Sequence, residues 1–274
     1  MKRFWIIPIN AGGLFLIASL LIYVGAARIS TKAESDTRSA NVLEQQALLK
    51  MGRKMIKAGD FEGALEKFNE ALNPKYIKTY HDKTQAISSK TDLYVLWGKY
   101  TDALKEYDWI FERTPDHQYS VAKQKEILAL IEWEESKDNK VIYDYISFLK
   151  EHFREQIPPV AYIGYHTTVI STILRLYDTI GDHDAGITYI DEIMSFFRTR
   201  KKDREEDFEI YDRVKTVENA DACLQVGPKE NPNWHACKLI REYLLIRETF
   251  EQDKSDGAKG RATKALVQSD YFPW

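Results

Sequence analysis

From Arg38 onward the apolar residues recur at intervals of three and four, the period of a helix with one buried stripe. The pattern predicts helices over 38–58, 61–73, 82–97, 100–113, 118–136 and 139–154, then 160–180, 183–200, 204–226 and 233–252. Short turns separate the paired helices: Gly59-Asp60, Gly98-Lys99, Lys137-Asp138-Asn139 and Gly181-Asp182. A glycine closes one helix because it accepts positive φ, and an Asp or Asn side chain then satisfies the first free N–H groups of the next. Antiparallel pairs of similar length at this spacing predict a repeat array over 31–200, followed by one more hairpin over 201–252. Residues 253–274 read as a polar tail with an aromatic end, Tyr271-Phe272-Pro273-Trp274, the stretch 251–269 being either poorly ordered or a short loose helix.

The first thirty residues follow a different rule. Phe4 to Ala27 are 24 consecutive positions without a charge, between Lys2-Arg3 and Arg28. As a helix rising about 1.5 Å per residue they reach about 36 Å, enough for a hydrocarbon core of about 30 Å. Phe4, Trp5 and Tyr23 stand near the ends, where amphipathic rings favour the interface. This predicts a transmembrane anchor over 1–30. The competing reading is a cleaved secretory signal with Val24-Gly25-Ala26 as its small-residue site, although the apolar run exceeds the usual length of about 7–15 residues. Basic residues flank both ends, so the charge-bias rule does not choose an orientation. A short cytoplasmic amino terminus with the body exported, periplasmic or otherwise extracytoplasmic, is the simpler insertion.

Within the array, the residues at fixed offsets resemble the tetratricopeptide repeat (TPR). Leu48, Met51-Gly52, Met55, Gly59-Asp60-Phe61, Ala64, Phe68, Ala71 and Asn73-Pro74 match one unit. Ile87, Tyr94, Gly98, Tyr100, Ala103, Tyr107, Ile110 and Pro115 match a second, with Lys90-Thr91 in place of its Leu-Gly pair. Ile170, Ile173, Tyr177, Gly181, Gly186, Ile190 and Ile193 match a third; the hairpin near 118–154 keeps only the amphipathic pattern. Small residues at Gly52, Ala64, Ala71, Ala103 and Gly186 let paired helices approach closely. The resemblance, covering roughly 45–200, implies an α-solenoid of TPR-like hairpins, so that with the anchor the chain reads as all-α: an N-terminal transmembrane helix followed by that solenoid. It also implies a concave groove, lined by the first helix of each hairpin, that binds a peptide of a partner. Mapped onto that groove, Lys50, Arg53, Lys57, Asp92, Glu132, Glu135 and Arg175 face the partner. Leu49, Arg53 and Asp92 do not reproduce the Lys/Asn clamp with which some members hold chaperone tails, so no such receptor is assigned.

Composition narrows the chemistry. Thirty-nine Lys+Arg against 42 Asp+Glu give a net charge of −3, which argues against a binder that works by neutralising phosphates. Gly (13) and Pro (8) are too sparse for a turn-rich β fold. Lys50, Arg53, Lys54 and Lys57 form a basic helical stripe, for which a plain solvated face is the commoner explanation. Cys223 lies four residues before Gly227 and Cys237 four after Asn233, so the two face each other across a helical turn. After export they would form a disulfide closing about 15 residues, worth roughly 3 kcal/mol; in a reducing compartment they would be two buried thiols. His235 beside Cys237 lacks the further ligands a zinc site needs, and Asp182-His183-Asp184 sits where a helix wants its cap, so no metal or cofactor is expected. No nucleophile elbow, phosphate loop or His-Glu-x-x-His is found, and an enzyme is not expected. The sequence reads as a membrane-anchored scaffold for a protein partner, similar in layout to ancillary subunits of envelope or secretion machinery. An anchored enzyme accessory domain or a self-associating structural protein are the alternatives, and oligomeric state is left open.

Overall fold

The computed structural model describes residues 39–153, 163–199, 214–231 and 233–269, and these form eleven α-helices and no strand. Four hairpins come first: α1 (39–58) with α2 (Phe61–Ala71), α3 (Tyr80–Leu96) with α4 (Tyr100–Phe111), α5 (Gln118–Ser136) with α6 (Asn139–His152), and α7 (Ile163–Ile180) with α8 (His183–Thr199). Each packs on the next in chain order. After them come α9 (Val217–Leu224), α10 (Trp234–Asp256) and α11 (Arg261–Gln268). Among the described residues no helix is long and apolar enough to cross a membrane. The uncharged run Phe4–Ala27 and the aromatic end 271–274 lie outside them.

The turns obey simple backbone chemistry. Gly59, Gly98 and Gly181 close α1, α3 and α7 at φ of +83°, +75° and +76°, and Lys137 does the same for α5 at φ 57°. Asp60, Asp138 and Asp182 then accept from Gly63, Lys140 and Ala185 N–H, capping the following helix. α3 begins two residues before its predicted start. Thr79 and Asp82 exchange side chain-to-backbone bonds in a capping box that fixes the helix at Tyr80.

Close packing depends on two glycines. A Cβ on Gly52 would stand 2.3 Å from Phe68 Cε1, and one on Gly186 would stand 2.7 Å from Phe250 Cε1 and Cζ. Phe68 and Phe250 are fully buried, each ring stabilising its helix pair by roughly 1.5–3 kcal/mol. The apolar core has two parts. Leu48, Leu49, Ile56, Phe68 and Leu93 form the amino-terminal part, and the larger part runs from Ile87 through α8 into α10. The last helix joins them, with Val267 in the first part and Ala262 and Leu266 in the second.

The carboxy-terminal region departs from expectation. The hairpin predicted over 201–252 has a first helix of only Val217–Leu224 within the described residues, and its second helix runs on to Asp256. Gly257 at φ 66° ends it. The segment read as a polar tail, 253–274, contributes the last turn of α10 and all of α11. α10 packs on α8, and α11 on α7. Four apolar residues within eight, two of them alanines, were too few to register as a buried stripe, and Gly260 offers α11 no local side-chain cap.

Candidate functional site

The odd-numbered helices share one face, and a chain of side-chain links runs across it. Gln46 Nε2 on α1 donates to Gln85 Oε1 on α3 at 2.6 Å, and Arg53 Nη2 to Ser89 Oγ at 3.3 Å. Lys123 on α5 stands 2.7 Å from Asp92 Oδ1 of α3 and 3.2 Å from Glu126 Oε2. Glu126 in turn takes Arg175 of α7 in an ion pair whose two side chains are only 3% and 5% exposed. The four charges cancel. Such burial is tolerated only because each charge meets an opposite one. Burial opposes the Lys123 charge, yet Asp92 and Glu126 beside it hold the ammonium well above the ordinary lysine value. Tyr145, from α6 beneath, donates to Ala122 O at 2.8 Å, and burial pushes its phenol well above the usual range. A cavity of about 230 Å³ opens among Asp92, Tyr107, Lys123, Tyr145 and Thr172.

A second feature lies across the carboxy-terminal ends of the same helices. Asp178, at the end of α7, accepts from Gly260 N (2.9 Å), Thr263 N (2.8 Å) and Thr263 Oγ1, and so caps α11 from 82 residues away. At the other end Lys57 Nζ of α1 donates to the carbonyls of Gln268 (3.4 Å) and Ser269 (3.2 Å), where the helix dipole is negative. Eight residues of α-helix measure about 12 Å. Four helices laid flat at interaxial spacings of 8–10 Å would put α1 and α7 about 27 Å apart. With the reach of the Asp178 and Lys57 side chains added, α11 links the ends of α7 and α1. Between α11 and the helix ends is a cavity of about 730 Å³ with Phe61, Leu96, Tyr100 and Trp133 on its walls. Lys259 reaches over Trp133 and donates to Thr179 O at 3.3 Å.

The groove residues expected from sequence thus have separate fates. Lys50, Glu132 and Glu135 are exposed, and Arg53 is exposed while bonded to Ser89. Lys57 is engaged with the end of α11. Asp92 and Arg175 belong to the ion network that braces helices α3, α5 and α7; Arg175 is buried, while Asp92 keeps part of its carboxylate on the cavity. Lys123 and Glu126, which complete that network, were not singled out in the sequence. They lie on the hairpin with the weakest repeat signature, and only their spacing of three on one helix face hinted at a pair. Cys223 and Cys237 are joined by a disulfide between α9 and α10, with Cα atoms 6.1 Å apart. No family model, curated protein or solved structure matches this chain.

Proposed function

We propose that this protein is a membrane-tethered scaffold that seats a segment of a partner protein on the inner face of its hairpin array. The observation that carries the reading is α11. It is a short amphipathic helix lying across the carboxy-terminal ends of the helices that form that face, with its first N–H groups held by Asp178, its last carbonyls by Lys57, and Ala262, Leu266 and Val267 buried. A surface that holds one helix in this way has the apolar floor and terminal partners that helix-in-groove recognition uses. The adjoining cavity of about 730 Å³ offers room for apolar side chains of an incoming segment. Exposed cations at Lys50 and Arg53 and exposed carboxylates at Glu132 and Glu135 would orient that segment, its acidic end toward α1. The TPR-like residues support the same reading, and the uncharged run Phe4–Ala27 supports a tether that raises the partner's local concentration.

Site-specific photo-crosslinking in native membranes tests it. Crosslinkers at Arg53 and at Glu132 are expected to capture the same protein. The double reversal Lys50→Glu/Arg53→Glu should lower that yield at least fivefold, and Leu266→Asp, which unseats α11, should raise it. Different proteins at the two positions, or a yield indifferent to charge reversal, would discard the groove reading.

A further inference from the structure

Three buried ligand atoms converge where α7, α8 and α10 meet the start of α11. Asp178 ends α7, His183 opens α8 and Asp253 stands one turn before the end of α10. One carboxylate oxygen, one imidazole nitrogen and a second carboxylate oxygen lie within 4.8 Å of one another. Asp178 is 1% exposed and Asp253 fully buried. Of these residues' atoms, His183 Nε2 is shielded from solvent with no hydrogen bond, and Asp253 Oδ1 is shielded with only the Arg261 guanidinium as its ion-pair partner. Arg261 Nε stands 3.3 Å from Asp253 Oδ1, while Asp253 Oδ2 accepts from Arg261 N at 3.0 Å.

Capping explains only part of this arrangement. Asp178 uses three of about four lone-pair positions on α11, leaving one. Asp253 holds the Arg261 amide through Oδ2 and pairs with its guanidinium through Oδ1. Nothing in either duty calls for an imidazole. A buried nitrogen without a partner costs about 1–3 kcal/mol, and an unpaired group of this kind in a native protein has a reason. Two carboxylates against one guanidinium also leave the pocket net negative.

We propose that Asp178, His183 and Asp253 form a binding site for a divalent transition-metal cation of the zinc type. One imidazole nitrogen with two carboxylate oxygens is a donor set that zinc and manganese take, whereas magnesium and calcium prefer oxygen alone. Ligand atoms around zinc stand roughly 3.3 Å apart, given bonds of about 2.0–2.2 Å in tetrahedral geometry. Closing the present cluster needs movement chiefly of His183, whose Nε2 carries no hydrogen bond, and a cation would replace the Arg261 guanidinium at Asp253 Oδ1. Asp178 stays on α11. The cation therefore ties α7, α8 and α10 together at the root of the helix that crosses the ends of α7 and α1. This site stands whether or not the inner face binds a partner.

The test uses the full chain, stripped with EDTA and desalted. Added zinc chloride is expected to be retained at one ion per chain by elemental analysis and to raise the thermal unfolding midpoint by several degrees; manganese in its place with the same His183 dependence counts equally. Cobalt as a probe should give visible absorption that added zinc abolishes. His183→Gln and Asp253→Asn should each lower metal affinity at least tenfold with an unchanged far-ultraviolet helical spectrum, and His235→Ala should have no effect. No stoichiometric metal in the wild-type chain, or retention unaffected by His183→Gln, overturns the proposal. Binding of magnesium alone, indifferent to His183, overturns it as well.

Discussion

The two ends of the inner face carry similar charges and use them in opposite ways. At the α1 end, Lys50 and Arg53 are exposed, and the helix pair is held by an apolar contact, Gly52 on Phe68. Toward α7, Asp92, Lys123, Glu126 and Arg175 are drawn between helices into a neutral network, with Glu126 and Arg175 almost fully buried. The same residue types are solvated groups at one end and internal braces at the other. What differs is the neighbouring helix: α5 and α7 bring opposite charges into reach, while Gln46 and Arg53 of α1 meet the uncharged Gln85 and Ser89. A charged residue on the inner helix of a hairpin is thus no evidence of a docking contact until its partners are known.

Arg175→Ala should show the contrast most strongly. It strands the Glu126 carboxylate in a buried position and is expected to cost about 3–5 kcal/mol by urea unfolding, whereas Arg53→Ala should fall within about 0.5 kcal/mol of wild type. Equal costs would erase the distinction between the two ends. The joint change Arg175→Met/Glu126→Met should recover most of the loss, because no lone charge is left behind.

The carboxy-terminal helices add covalent bracing to this comparison. Cys223→Ser/Cys237→Ser is expected to lower stability by about 3 kcal/mol in oxidised protein. Intact mass under non-reducing conditions should show the chain two hydrogens lighter than after reduction; two free thiols in freshly exported material would refute the bridge. At the apolar end, Gly52→Ala should cost about 1–3 kcal/mol, since a Cβ 2.3 Å from the Phe68 ring must push it aside. A neutral or stabilising result would mean that α1 and α2 shift apart freely.

The smallest effect is a pH dependence. Burial raises Tyr145 and Tyr189 above the ordinary phenol value of 10.0, and the Asp182 hydrogen bond, with burial, pushes Tyr143 up to about 12. In that range the unfolded chain releases protons that the folded chain keeps, so the stability these phenols contribute is whole below pH 10 and declines above it. The urea midpoint should fall between pH 9 and 11, and Tyr145→Phe should flatten the fall. A midpoint that rises with pH would contradict the burial of these rings.

Much of the architecture was readable because it is local. Asp60, Asp138 and Asp182 cap helices three or fewer residues away, and Gly59, Gly98 and Gly181 terminate them through their own φ. The capping box at Thr79 was equally local, and reading it would have placed the start of α3 at Tyr80. The last helix was not readable on those terms. Its N-terminal cap is Asp178 and its C-terminal partner is Lys57, 82 and 211 residues distant. The Asp178–His183–Asp253 cluster is divided in the same way, and only His183 drew notice as part of a local triplet.

The positions of α1 to α8 and their pairing into hairpins were settled by the sequence alone, since periodicity, glycine stops and aspartate caps act within one turn of the chain. Which inner-face charges are spent inside the molecule, and that residues 261–268 return to cross the helix ends, were decided by tertiary structure. Those outcomes depend on which distant side chain arrives within about 3 Å, and no short-range pattern encodes that distance.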